Sequence, residues 1–158
     1  WAGTPRGPGR RRVDHMGKRE ALPRWLDRAV DTPCDWGVHD CTIWPANWVV
    51  HCGGVDPAAV WRGRYRTLLG AARLASAAGG MAGLYDAACR GAGLVETVRP
   101  LLGDVGLLSL PARAGPTLGQ SVGGIAIGGG DWAVVQEHGL WIGRAAVIAA
   151  WRVEWRTR

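Results

Sequence analysis

The chain contains no phenylalanine, only two tyrosines and a single lysine among its 158 residues. Its ten tryptophans must therefore supply most of the aromatic side chains of the core. No apolar run approaches the roughly 18 residues that a membrane-spanning helix needs, and no charged segment leads into an apolar one. The sequence thus predicts neither a membrane span nor a secretory signal, and we expect cytosolic synthesis with reduced cysteines.

The net charge of +6 is concentrated near the N-terminus. The segment from Arg6 to Arg28 carries eight basic and three acidic residues, which leaves 11 basic and 10 acidic residues elsewhere. The basic segment has none of the spacing of a helix that reads a nucleic-acid groove, and a solvated charge run is the commoner explanation. The charge pattern therefore does not indicate specific nucleic-acid binding.

Composition divides the chain into a tail and one domain. Residues 1–17 are rich in Gly, Pro and Arg and offer almost no apolar surface, so we expect a disordered basic tail, with Met16 as an alternative start. The remaining length suffices for one hydrophobic core. This predicts a single domain over residues 18–153 and a short C-terminal tail over residues 154–158.

The first half of the domain has helical periodicity. An amphipathic face predicts a helix from about Lys18 to Asp31, with Pro23 confined to its first turn. A second, buried helix carries Trp44 and Trp48 one turn apart and ends at a pair of glycines. Three further helices are predicted over residues 57–61, 68–78 and 81–90.

The period changes after Leu94, where β-branched residues become frequent and glycines interrupt the chain. A run of three glycines before Asp131 predicts a hairpin. The strand candidates are Val105–Leu110, Val122–Ile127, Trp132–Gln136, Leu140–Ile142 and Val147–Val153. Helices followed by an antiparallel sheet predict an α+β domain.

Cys41 stands at the start of the second helix, where unpaired amides and the helix dipole favour a thiolate and can hold an oxyanion. If that helix began at Asp40, Pro45 would lie beyond its first turn and cost about 3 kcal/mol. The helix is therefore predicted to begin at Ile43 with Thr42 as its cap. Cys41 would then lie just outside the helix, where activation is weaker.

The order of several motifs resembles that of the NlpC-type papain-like cell-wall peptidases, which cut peptide or amide bonds in peptidoglycan stems. The landmarks are Trp36-Gly37, Asp40-Cys41-Thr42, Gly103-Asp104-Val105 and the glycine-flanked strand Val122–Gly128. The resemblance implies a papain-like NlpC-type fold, with N-terminal helices followed by a small antiparallel sheet. It also implies Cys41 as the candidate nucleophile, with Trp36, Asp40 and Thr42 around the oxyanion or cleft.

A wider set of motifs, over about Asp31 to Val153, is similar to a phage and prophage family described as domain of unknown function 6950. These motifs are Trp36 to Cys41, Gly54 to Pro57, Arg62 to Tyr65, Gly79-Gly80, Gly103 to Val105 and Ala150 to Val153.

The chain departs from the NlpC pattern at two positions. Those enzymes carry a histidine at the start of the strand where this chain has Val122, preceded by Gln120-Ser121, and a tyrosine where it has Cys34. A base for the thiol must then come from elsewhere. The candidate bases are His39, two residues before the cysteine, and His138, beyond the second hairpin strand, whereas His51 is read as a helix-end residue.

Other interpretations stay open. A buried cysteine at a helix start is often a small hydrophobic residue, and Cys52 and Cys89 are read that way. The tryptophans are read as core rather than as a carbohydrate platform. A zinc site has suitable ligand types but no paired-ligand spacing, so no metal or other cofactor is predicted. The ligands of such a zinc site would be Cys34, His39, Cys41, His51 and Cys52.

Two functions follow from the resemblance. The first is a phage- or prophage-derived NlpC-like module with impaired catalysis, associated with tail assembly or cell-wall engagement. The alternative is an active cysteine peptidase or amidase acting on peptidoglycan stem peptides, with Cys41 as nucleophile. The implied partners are peptidoglycan peptides or other phage tail proteins. The chain would be made in the bacterial cytoplasm and be associated with the virion or tail.

Overall fold

The computed structural model describes residues 10–114 and 121–156, with only the backbone described for residues 10–16 and 113. Within these residues four helices precede a six-stranded antiparallel sheet, which confirms the predicted α+β class. The helices are α1 (Arg10–Ala29), α2 (Ile43–His51), α3 (Leu68–Ala77) and α4 (Gly80–Gly91), and a short 3-10 turn spans Ala112–Ala114. Among these described segments, no helix combines the length and apolarity needed to cross a membrane.

Two helix predictions are wrong. α1 begins at Arg10 rather than near Lys18, so part of the predicted tail is helical, while residues 1–9 lie outside the described residues. Pro23 lies in the interior of α1, on its exposed side, where the carbonyl that loses its partner faces solvent. The helix predicted after Asp56 is a series of turns, although the Asp56 carboxylate accepts from the Ala58 amide at 2.9 Å as a cap would.

The sheet has the strand order β1-β6-β2-β3-β4-β5. Its strands are β1 (Val95–Glu96), β2 (Val105–Ser109), β3 (Val122–Gly128), β4 (Asp131–Gln136), β5 (Gly139–Arg144) and β6 (Ala146–Arg152). The five predicted strands are confirmed, and so is the hairpin, in which Gly129 and Gly130 take φ of 64° and 86°. β1 was not predicted because it has only two residues, both exposed.

A single residue, Ala145, separates β5 from β6, yet β5 pairs with β4 while β6 pairs with β2. β5 and β6 therefore form one nearly continuous segment that pairs with both β4 and β2, which lie on opposite sides of β3. The sheet must curl to allow this pairing. Trp132 is buried on the inner side of this curl. A Cβ on Gly106 would lie 2.7 Å from the Trp132 ring, so glycine makes room for the large side chain.

The other side of the sheet packs against α1, α2 and α4. Trp44 and Trp48 of α2 are buried there among Leu107 and Ile125, as predicted. The Trp48 indole also donates to the Gly103 carbonyl at 2.8 Å, which ties α2 to the loop before β2.

Asp104, in the motif Gly103-Asp104-Val105, is a fully buried anchor for the chain's single lysine. Its carboxylate lies 3.5 Å from the ammonium of the buried Lys18 on α1 and 3.3 Å from the Arg152 guanidinium on β6. It also accepts from the amides of Leu101 at 2.8 Å and Val153 at 3.0 Å. The motif thus joins α1 to the centre of the sheet.

Candidate functional site: the cleft beside Cys41

A cleft of about 750 Å³ opens between the start of α2, the loop after it, α3 and α4. Cys41 lines it together with Trp36 and Thr42, two of the residues that the NlpC resemblance places around the cleft. Most of the remaining lining is apolar and comprises Trp61, Leu68, Leu69, Ala71, Ala72, Leu74, Ala75, Met81 and Leu84. The candidate nucleophile therefore stands at the wall of a large apolar cavity.

Asp40, the residue before the candidate nucleophile, is buried and accepts four hydrogen bonds. Its Oδ1 accepts from the amides of Thr42 and Ile43, each at 2.8 Å. Its Oδ2 accepts from the Gly37 amide at 2.8 Å and from the Tyr65 hydroxyl at 2.7 Å. α2 begins at Ile43 as predicted, but the Thr42 side chain makes no capping bond. Asp40 caps the helix instead.

The first turn of α2 contains a proline, and a side chain of α4 supplies the hydrogen bond that the proline cannot make. Pro45 has no amide with which to reach the Cys41 carbonyl, and the Tyr85 hydroxyl donates to that carbonyl at 2.9 Å instead. Gly123 on β3 packs so closely here that a Cβ would overlap both the Tyr85 hydroxyl and the Cys41 carbonyl. A glycine at this point of β3 therefore allows the start of α2 to approach the sheet.

Burial, followed by the negative charge of Asp40, raises the pKa of the Cys41 thiol from 9.0 to about 12. The Gly123 amide and the Thr42 side chain hydrogen-bond the sulfur and act to lower the pKa, but they do not offset burial and charge. The thiol is therefore protonated at neutral pH.

Two amides at the start of α2 are already engaged. A helix start can stabilise a tetrahedral intermediate because its first amides lack backbone partners. Here the Thr42 and Ile43 amides both point at the Asp40 carboxylate. These two donors are therefore held by Asp40.

His39 faces a different pocket from Cys41. It lines a hollow of about 200 Å³ with Trp25, Arg28 and Trp44, and its ring packs edge-on to Trp44 with centroids 6.4 Å apart. Burial lowers the pKa of His39, so the imidazole is neutral at pH 7. Its Nε2 atom is buried and has no hydrogen-bond partner among the described residues.

The other two histidines of the domain lie in a turn and at the end of α2. His138 is exposed in the β4–β5 turn, where the neighbouring Glu137 carbonyl accepts from the Cys34 amide at 3.2 Å. His51 stacks on Trp48 with centroids 5.7 Å apart and lies 5.0 Å from the Trp25 ring. Among the described residues, the groups that shift the pKa of Cys41 include no histidine.

The remaining three cysteines lie in the hydrophobic core or pack against it. Cys52 and Cys89 are buried in the core, as predicted, and burial raises the pKa of each to about 12. Cys34 is half-buried, and burial together with Asp40 raises its pKa to about 11. In the part of the chain that the structure describes, no three Cys, His, Asp or Glu side chains converge on a metal-sized site.

Sequence reasoning missed both tyrosines as site residues. Tyr65 reaches Asp40 and Tyr85 reaches Cys41, so the chain's two tyrosines meet at the same helix start. Tyr65 stands within one of the motifs that carry the family similarity, which is a usable signal. Tyr85 lies 44 residues from its partner in the chain, and nothing local predicts their contact.

A family model described as "Domain of unknown function (DUF6950)" matches residues 12–153, from α1 to the residue after β6. The chain belongs to this family. The match confirms the similarity inferred from the motifs, and it includes α1, which lies largely before the region where those motifs occur. Neither a curated protein nor a solved structure matches this DUF6950 chain.

Proposed function

We propose that this DUF6950 protein is a phage- or prophage-derived NlpC-like module that retains a ligand cleft in a papain-like fold but has lost most or all catalysis. Its role would lie in tail assembly or cell-wall engagement. The observation that carries the proposal is the position of Asp40, which engages the amides at the start of α2 and raises the pKa of the neighbouring thiol.

The ionisation state of the Cys41 thiol supports the proposal. A cysteine attacks as its thiolate, and active enzymes lower the thiol pKa below its ordinary value. Here burial and Asp40 move the pKa of Cys41 the other way, to about 12. At pH 7 a smaller fraction of the Cys41 thiol would be ionised than of an ordinary free thiol.

The positions of the candidate bases also support the proposal. General acid–base catalysis contributes about 10²–10⁴ in rate and needs a base within hydrogen-bond reach. His39 lines another pocket, and His138 lies in an exposed turn. Neither arrangement favours proton transfer from Cys41.

The alternative is an active cysteine peptidase or amidase on peptidoglycan stem peptides. It is favoured by the place of Cys41 on the wall of the 750 Å³ cleft and by the two hydrogen bonds that favour its thiolate. In either case, the proposed partners are peptidoglycan peptides or phage tail proteins. The protein would be made in the bacterial cytoplasm and be carried on the virion or tail.

Release of soluble muropeptides from purified peptidoglycan distinguishes the two proposals. We expect no release above background by the wild-type protein, by Cys41→Ala, or by the double variant His39→Ala with His138→Ala. Turnover by wild type that Cys41→Ala abolishes would establish the alternative. If the histidine double variant also lost turnover relative to the wild type, one of its two histidines would act as the base.

A further inference from the structure

Two polar side chains of the cleft are already committed to internal hydrogen bonds. The Tyr65 hydroxyl donates to Asp40, and the Thr67 hydroxyl caps α3 by accepting from the Gly70 amide at 3.1 Å. Among the described lining residues none is charged. A carboxylate or ammonium group inside the cleft would lose its hydration without gaining a partner, so the interior favours an apolar ligand.

The rim of the cleft has the opposite character. From Pro57 to Tyr85 the chain carries four arginines and no acidic residue. One of them, Arg62, is paired with Asp56 by bonds of 2.6 and 3.1 Å. The other three, Arg64, Arg66 and Arg73, are exposed, and within the described chain none of them forms a salt bridge.

Two of these arginines, Arg66 and Arg73, are adjacent in the chain to residues that line the cleft. Arg66 lies between Tyr65 and Thr67, which both line the cleft, and Arg73 lies between two lining residues of α3. The volume of about 750 Å³ falls within the range of small-molecule sites, which are mostly apolar with few polar groups. An apolar cavity with a cationic rim is complementary to a ligand that has an apolar body and an anionic end.

We propose that the cleft binds a single-chain anionic amphiphile, such as a fatty acid, with the aliphatic chain inside and the carboxylate at the arginine rim. The chain packs on the leucines and alanines of α3, and Arg66 and Arg73 contact the head group. The inference rests on the proposed function, because it assigns a ligand class to the cleft of a non-catalytic module.

Isothermal titration calorimetry with three probes, each below its critical micelle concentration, tests the chemistry. Dodecanoate should bind at least about tenfold more tightly than octanoate, because four more methylene groups leave water. Dodecyltrimethylammonium has the same chain with the opposite charge and should bind at least about tenfold more weakly than dodecanoate. Equal affinity for all three probes, or no binding of dodecanoate, would refute the proposal.

Matched variants locate the site. Ala72→Phe fills the cleft from α3 and should abolish dodecanoate binding, whereas Ala77→Phe, on an exposed position of the same helix outside the lining, should not. Leu69→Glu introduces a charge at an exposed lining position and should also abolish binding, which provides a second variant if Ala72→Phe misfolds. Equal loss in the Ala77→Phe control would contradict the assigned site.

Variants of the rim separate the head group from the chain. Arg66→Gln with Arg73→Gln should weaken dodecanoate binding about tenfold, while Arg24→Gln on the exposed side of α1 leaves it unchanged.

Binding to vesicles of anionic lipid without binding of monomeric dodecanoate would overturn the proposal in favour of a membrane surface. Peptidoglycan turnover would refute the proposed function without touching this result, and absent dodecanoate binding by an inert protein would refute this inference alone.

Discussion

The Tyr85 hydroxyl on α4 donates to the Cys41 carbonyl at 2.9 Å, in place of the helical bond that Pro45 cannot make. The first turn of α2 is therefore completed by a side chain from another helix. The position of the candidate nucleophile depends on the packing of α4 as well as on the local sequence.

Tyr85→Phe should lower the free energy of unfolding by about 1–3 kcal/mol, because it leaves a half-buried carbonyl without its donor. Urea denaturation measures this change. Pro45→Ala supplies a backbone amide in the position to reach the same carbonyl. In the Pro45→Ala background, Tyr85→Phe should therefore cost at least about 1 kcal/mol less than in the wild type. Equal costs in the two backgrounds would show that Tyr85 does not replace the proline's missing bond.

Lys18→Met should destabilise the protein by about 3 kcal/mol, since it leaves the buried Asp104 carboxylate with one cationic partner instead of two. The matched control Arg19→Met changes an exposed neighbour on α1 and should stay within about 0.5 kcal/mol of wild type. Chemical denaturation of the two variants measures both changes in the free energy of unfolding.

Amine labelling tests the burial of Lys18 independently. Because only 2% of Lys18 is exposed, an amine-reactive ester should leave it unmodified in the folded protein and modify it in denaturant. Rapid native labelling of Lys18, read by mass spectrometry of its peptide, would contradict the buried ion pair.

Local pattern was sufficient for most of the fold. The five longer strands and the hairpin at Gly129-Gly130 follow from β-branched residues and glycines that act over short distances. The start of α1 was not predictable in the same way, because residues 10–17 offer no apolar periodicity and Lys18 is stabilised by Asp104, 86 positions later in the chain. The turns after Asp56 show that a good cap does not suffice for a helix.

The sequence predicted several residues of the site but not how their side chains are arranged. The motif around Cys41 identified the helix start, and Trp36 and Thr42 line the cleft with it. The sequence could not show that the Asp40 carboxylate turns inward to engage amides that an oxyanion would use. It also could not show the separate pocket of His39, because side-chain direction at a turn depends on tertiary packing.

Stability should fall in alkaline solution because of the buried thiols. Burial raises the pKa of Cys52 and Cys89 from 9.0 to about 12, so the folded chain keeps these protons while the unfolded chain loses them. Their contribution is complete below pH 9 and is lost as pH rises from about 9 towards 12, with a slope of up to about 1.4 kcal/mol per pH unit for each thiol.

Denaturation between pH 8 and 10.5 measures this slope. The double variant Cys52→Ala with Cys89→Ala starts from a lower stability but should show a shallower decline. Cys34, Cys41 and both tyrosines also have a raised pKa and are present in the two proteins, so the difference between them isolates Cys52 and Cys89. Parallel curves would contradict the shifted thiol pKa values.

The alkylation rate of Cys41 against pH shows whether its thiol is an activated nucleophile. Iodoacetamide labelling resolved by mass spectrometry should show a Cys41 rate that rises with pH up to about 10 without a plateau. In Asp40→Asn the rate at a given pH should increase, because the carboxylate charge raises the thiol pKa, although burial keeps the pKa above 9.0. A wild-type rate that reaches its plateau at or below pH 7 would show a preformed thiolate and contradict the account.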